Sequence, residues 1–200
     1  MSENSTKALT KKQQTRQRIL DAASQSFRTH GFAGIGVDGI AKAAKVTSGA
    51  FYSHFGSKDG AFSVAIDAGL DEVIAALPYF QKNDGDKWVE SFANYYIGKA
   101  HRDDLANGCA MTTLSPEVVR AAPEFRLAYE KKMKQIVDII SNGLEGDSIE
   151  ECRARAWAML GTLIGGLTLS RAVKNKKVAN EIASSIKYAA IAAAGKVKNI

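Results

Sequence analysis

Apolar residues recur along this chain at spacings of three and four almost throughout, the pattern of amphipathic helices. No stretch alternates as a half-buried strand does. The pattern predicts a first helix over about 12–30, with Ile19, Ala23 and Phe27 on one stripe and Gly31 at its end. Two short helices follow. One lies near 37–44 with Ile40, Ala41 and Ala44 inward; the other lies near 48–54. Ser57 is placed to cap a fourth helix that runs to about Leu77, where Pro78 should stop it. Gln81–Asp86 reads as a loop. A fifth helix over about 87–104 carries Trp88, Phe92, Tyr95 and Tyr96 on successive turns. Asn107-Gly108 signals a turn. Ser115-Pro116-Glu117 reads as an N-cap, a first helical residue and an acidic first turn. Pro123 opens the next helix and Asn142-Gly143 closes it. Ser148 and Glu151 have the spacing of a capping box that opens a long helix to about Val173, and a last helix runs from about Val178 to Ala194. The expected fold class is all-α, about nine helices, with no internal repeat.

Charge adds a division that the periodicity does not show. The chain has 200 residues and a net charge of +6. Residues 1–58 hold nine Lys and Arg against three acids, while the other 142 residues hold 18 of each sign. The whole excess sits on the first quarter, which on charge alone reads equally as the electrostatic footprint of a polyanion-binding module on a neutral body or as a solvated surface with a basic tail. The expected organisation is a disordered basic arm over 1–11, a helix-turn-helix DNA-binding domain over 12–58, and an effector-binding and dimerisation domain over 59–200.

Several function classes are disfavoured. The longest uncharged stretch, 156–170, is 15 residues with three glycines, short of the roughly 20 apolar residues a spanning helix needs. Residues 1–17 are polar and carry no apolar signal-peptide core, so a cytoplasmic protein is expected. The two cysteines, Cys109 and Cys152, suit a reducing compartment and make neither a disulfide framework nor a four-thiolate metal site. Three widely spaced histidines (His30, His54, His101) and the absence of a glycine-rich phosphate loop leave catalysis without support. No cofactor and no metal is expected.

Three short helices in about 60 residues are the layout of a helix-turn-helix unit, whose second helix presents small and polar groups to base edges. In residues 46–55, Ala50, Phe51 and Phe55 can turn inward. Thr47, Ser48, Gly49, Tyr52, Ser53 and His54 are then left for the outer face, with Lys58 at the start of the following helix, where a cation and free N–H groups can share one phosphate.

At these residues the chain resembles the TetR family of bacterial transcriptional regulators. The resemblance rests on Ile19-Leu20-Asp21-Ala22-Ala23, Phe27, His30-Gly31-Phe32, Val37, Ile40-Ala41 and Ala44. It continues through the unbroken run from Val46 to Lys58 and spans about residues 14–74. It implies phosphate contacts at Tyr52, His54 and Lys58, with Thr47, Ser48 and Gly49 at the groove-facing start of the recognition helix. Phe27, Phe51 and Phe55 would form the small domain's core. Three positions depart from the family pattern. Gly36 stands where a Ser or Thr cap is usual, Gly39 where a polar helix former is usual, and Lys45 where the turn often has Gly.

For the remainder, the resemblance implies a homodimer joined through the last two helices of each chain. The 149–173 helix suits that role: Trp157, Met159, Leu160, Leu163, Ile164, Leu167 and Leu169 surround it, and Gly161 and Gly165 permit close helix approach. An intramolecular core is the alternative. The family also implies an effector pocket, for which Trp88, Phe92, Tyr95, Tyr96, Cys109, Met111, Phe125, Tyr129 and Trp157 are the candidate lining residues, suited to a small apolar or aromatic effector. Cys109 follows a turn in a string similar to one subset of the family in which some members use a cysteine to detect electrophiles; an inert buried thiol is the plainer reading. The expected function is a ligand-responsive, dimeric repressor acting on a palindromic double-stranded DNA operator. An architectural DNA-binding protein without a ligand, and a helical carrier or enzyme with a vestigial head, are the alternatives.

Overall fold

The computed structural model describes residues 9–198. Among these the fold is all helical. It comprises α1 (Lys11–His30), α2 (Val37–Ala43), α3 (Ser48–Phe55), α4 (Lys58–Asp84), α5 (Trp88–Tyr96), α6 (Lys99–Asp103), α7 (Ala110–Arg120), α8 (Pro123–Asn142), α9 (Ile149–Ala172) and α10 (Lys176–Ala194). Most of the arm expected over 1–11 lies outside the described residues; Thr10 caps α1 in a reciprocal box with Gln13. The chain divides into two compact units, Met1–Ala65 and Ile66–Ile200, and α4 contributes residues to both.

The first unit closes over Ile19, Ala23, Phe27, Ile40, Phe51 and Phe62, all buried. Phe62 meets Phe27 edge-on with ring centroids 5.2 Å apart, and Phe32 lies 4.9 Å away. All three departures have visible consequences, and at Gly39 a Cβ would come within 2.6 Å of Ile35 Cδ1. Gly36 is the N-cap of α2 and supplies no side-chain cap. Lys45 has φ 55°, the one non-glycine residue with positive φ among those described. The bonds from Val46 N to Ala41 O (3.0 Å) and from Lys45 N to Lys42 O (3.1 Å) form a Schellman ending for α2, with Lys45 at the position that favours glycine.

The second unit differs from the pattern-based expectation at four points. Pro78 does not stop α4: the helix runs through it to Asp84, and the expected loop at Gln81–Asp86 is the last helical turn plus a 3₁₀ turn at Gly85–Lys87. An internal proline costs a helical hydrogen bond. Packing on both sides holds the helix nonetheless: Leu77 is fully buried, Phe80 lies against Phe92 and Tyr95, and Gln81 donates to the Ile139 carbonyl at 2.9 Å. The helix expected over 87–104 is broken instead, because Gly98 takes an extended ψ of 165° between α5 and α6. Ser115-Pro116 is not a cap. Both residues lie inside α7, and the Ser115 hydroxyl bonds the Met111 carbonyl one turn back. Lastly, the Ser148 side chain does cap α9, but Glu151 reaches past it to the Asp147 N–H at 2.9 Å.

α9 and α10 lie side by side. Gly166 makes this possible, since a Cβ there would come within 2.2 Å of Ile186 Cγ2. Gly161 and Gly165 have open space where a Cβ would stand, so their small size serves no packing within the chain. Arg155 ties the end of α10 to the α8–α9 connection, donating to the Ala194, Glu145 and Lys196 carbonyls.

Candidate functional site

The first candidate site is the start of α3. Thr47 is its N-cap, accepting from Ala50 N at 3.1 Å, and Gly56 (φ 71°) ends the helix. Burial of Phe51 orients the rest. Thr47, Gly49, Tyr52 and Ser53 are exposed, His54 is half-buried, and Tyr52 keeps 52% of its surface in solvent although its ring stacks edge-on against Phe51. Ser48 is less free than the sequence suggests, because its hydroxyl donates to Asp38 Oδ1 at 2.5 Å and so ties α3 to α2. Phe55 is half-buried, not enclosed, with the Arg16 guanidinium 4.8 Å from its ring centroid. Lys58 Nζ stands 4.3 Å over the Phe32 ring at the first turn of α4, where Ser57 Oγ accepts from Gly60 N at 2.9 Å. The aromatic face holds the ammonium beside the helix N-terminus, where both attract an anion.

The second candidate site is a cleft of about 420 Å³, partly open to solvent, lined by α4, α5 and the α6–α7 connection. Four of the nine proposed effector residues meet there: Phe92, Tyr95, Tyr96 and Cys109. Sequence reasoning missed their neighbours Gly69, Glu72, Val73 and Ala76, which α4 supplies, and His101. The structure does not bring the other five into this cleft. Trp88 and Met111 are fully buried core residues; Trp88 packs against Gly143, and its indole N–H has no partner among the described residues. Phe125 is half-buried on α8. Tyr129 hydrogen-bonds Ser115 at 2.5 Å, donating its phenol hydrogen because the Ser115 hydrogen goes to Met111. Trp157 lies on the exposed face of α9.

The cleft is polar at its depth. Tyr96, fully buried, pairs with Thr112 at 3.0 Å and with the Cys109 thiol. Burial, and next the neighbouring Cys109, pushes the Tyr96 phenol well above its ordinary range, with the Thr112 bond pulling the other way. Burial also raises Tyr95, reinforced by Cys109 and Glu72, so both phenols enter binding as neutral donors. His101 Nδ1 stands 3.0 Å from the Tyr96 carbonyl; a carbonyl only accepts, so Nδ1 carries the hydrogen. The His101 ring packs 4.6 Å from that of Tyr95. Arg171 donates from Nε to the His101 carbonyl at 3.0 Å, and partial burial lowers its pKa.

Among the described residues no group of three His, Cys, Asp or Glu is placed to hold a metal, and no helix is long and apolar enough to cross a membrane. A cationic three-helix unit with an exposed recognition-type helix, followed by a larger helical unit, defines a helix-turn-helix regulator. The sequence pattern described as "Bacterial regulatory proteins, tetR family" matches residues 19–64, and "Transcriptional regulator LmrA/YxaF-like, C-terminal domain" matches residues 87–185. The chain belongs to the TetR family of bacterial regulators.

It is 28% identical over 145 residues to the HTH-type transcriptional repressor NemR of Escherichia coli (strain K12), covering 69% of this chain and 71% of that protein. It is 26% identical over 135 residues to the HTH-type transcriptional repressor SCO4008 of Streptomyces coelicolor, covering 68% and 69%. The solved TetR-family regulator of Cytophaga hutchinsonii superposes with a TM-score of 0.73 at 21% identity, over 96% of this chain and all of that one. The reduced form of E. coli NemR also gives 0.73, at 16% identity over 94% and 98%. These structural likenesses show a shared fold.

Proposed function

We propose that this regulator is a homodimeric repressor that grips a palindromic operator through the start of α3 and lets go when a small apolar or aromatic effector enters the α4–α5 cleft. One observation carries the reading: Thr47, Gly49, Tyr52 and Ser53 stand exposed on a helix whose inward face is a closed aromatic core, in the most cationic part of the chain. Tyr52, His54 and Lys58 contact phosphates, and Thr47, Ser48 and Gly49 face the groove. A Cβ added at Gly49 would meet nothing closer than Thr47 Oγ1 at 3.8 Å, so the space beside this backbone is open to an approaching partner. The relatives named as repressors support repression as the direction of control.

Dimerisation is supported by the outer faces of α9 and α10. Trp157 (42% exposed), Gly161, Gly165 and Leu169 (56%) fall at four-residue steps on one face of α9, and Tyr188 (77%) stands out from α10. Such an apolar stripe with two glycines is suited to a second copy of itself. In the effector cleft Phe92 and Tyr95 supply aromatic faces, Tyr96 and Cys109 a polar end. An effector that binds the DNA-incompetent state more tightly shifts the equilibrium toward release.

The test is selection of bound duplexes from a random pool, followed by titration of the winner with wild type and with Tyr52→Ala plus Lys58→Ala. A palindromic winner and a loss of at least 100-fold are expected, since the dimer would lose four charge-assisted contacts. The salt dependence should flatten by about 0.9 in slope for each phosphate that the variant no longer neutralises. An unselective pool, or a double variant that binds like wild type, overturns the reading.

A further inference from the structure

A second cleft lies in the larger unit, next to the aromatic one. It is lined by Lys99, Arg102 and Asp103 of α6, Ser170 and Arg171 of α9, Val173 and Lys174 of the connection, and Lys176, Ala179 and Asn180 of α10. Five cations face one carboxylate across about 870 Å³ of open-mouthed space. This concentration stands out because the chain beyond residue 58 is neutral overall. We infer that this cleft binds a compact polyanion, a small molecule carrying two or more phosphate or carboxylate groups.

Ordinary structural duties account for only part of the cluster. Arg171 holds the His101 carbonyl, and Arg102 Nη1 donates to Asn180 Oδ1 at 2.9 Å. Even so, Arg102 Nε is buried with no hydrogen-bond partner among the described residues. Lys99, Lys174 and Lys176 are exposed and form no ion pair among the described residues. Lys176 also opens α10, a helix with no acid in its first turn. A cation is disfavoured there by the helix dipole, and it becomes favourable once an anion sits between the two. The cleft belongs to a different face from the apolar stripe of α9 and α10. Lys176, Ala179 and Asn180 share the side of α10 turned toward α6, whereas Trp157, Gly161, Gly165 and Leu169 mark the outer side of α9. Arg171 is common to both clefts: it lines this one and bonds the carbonyl of His101, whose ring lines the other. An anion that recruits the Arg171 donors would alter the support of the aromatic cleft directly.

The experiment is calorimetric titration of the full chain with inorganic pyrophosphate, and separately with citrate, at low salt. The titration is repeated on Lys99→Glu plus Lys174→Glu. A control, Lys131→Glu plus Lys196→Glu, changes the net charge equally at exposed positions outside the cleft. Saturable binding of at least one probe is expected, weakened tenfold or more by the cleft pair and less than twofold by the control. The Nε–H resonances of Arg102 and Arg171 should shift during the titration while that of Arg153 stays. No saturable binding of either probe overturns the inference. So does equal weakening by both pairs, which would mark general attraction to a cationic protein. So does a short random duplex that the cleft pair releases while neither probe binds, which would make this an additional DNA surface. None of these outcomes bears on the α3 reading, which Tyr52 and Lys58 test alone.

Discussion

The three-helix unit and the larger helical unit were built under different rules. In the first, α1 and α3 begin and end where their own residues say they should: Thr10 and Thr47 cap, Gly31 and Gly56 terminate. In the second, prolines sit inside helices at Pro78 and Pro116, and a glycine breaks a helix at Gly98. A small unit has little burial with which to override local preference, so its local signals must agree. A larger unit has packing to spare, and a buried Leu77 or a Phe80 wedged between Phe92 and Tyr95 can hold a helix across a proline. The charge follows the same division. The small unit keeps its cations outward except for Arg28, which is buried, whereas the larger one buries aromatic and polar groups in a cleft.

The strongest way to break the comparison is to remove packing from the small unit. Phe51→Ala empties the centre of α3's inward face and should cost about 3–5 kcal/mol in urea unfolding, with loss of DNA binding before the larger unit melts. If the two units unfold together with little change in midpoint, the idea that the small unit has no packing reserve is wrong.

Pro78→Ala sharpens the other side. Pro78 is exposed, so the substitution restores one backbone hydrogen bond without touching the core. A gain of about 1–2 kcal/mol is expected, less than the roughly 3 kcal/mol penalty of an interior proline because the unfolded chain also gains freedom. A loss in thermal denaturation would mean that α4 needs the proline.

Lys45→Gly addresses one of the two places, both at the ends of α2, where the small unit breaks its own rule. At φ 55° in a Schellman ending, glycine should add about 1 kcal/mol. DNA affinity should fall slightly with the lost charge, so stability and binding move in opposite directions.

The smallest effect is the acid response of Glu151. The Asp147 N–H, followed by Arg155, holds its carboxyl below the usual range. A carboxylate depressed in the folded state contributes stability above its unfolded pKa, and that contribution fades as pH falls through the folded value. Glu151→Gln should therefore flatten the acid limb of a stability–pH curve, with little change near neutrality. Since its side chain is exposed to solvent, the difference will be slight.

How much was legible follows from these rules. The α3 candidates were readable because Phe51 and its neighbours set which face turns inward, and a helix's outer face is then decided by a fixed 100° step. What escaped was the Ser48–Asp38 bond, which joins residues on two helices. The aromatic stripe on α5 was visible, yet its division was not. Trp88 and Phe92 share a face by spacing, but Trp88 meets Gly143 and becomes core, while Phe92 meets α4 and lines a cleft. Glu72 and His101 carried no local mark at all. The glycines of α9 look alike in the sequence, yet Gly166, and not Gly161 or Gly165, admits the neighbouring helix of the same chain.

Periodicity, caps and the placement of charge were enough to determine an all-helical chain, a cationic head and the outward face of α3, because each depends on residues within a few positions of one another. Which aromatic lines a cavity, whether a proline ends a helix, and which five cations share one cleft were decided only when distant segments packed. Burial energy summed over many contacts outweighs any single local preference, and no stretch of sequence contains that sum.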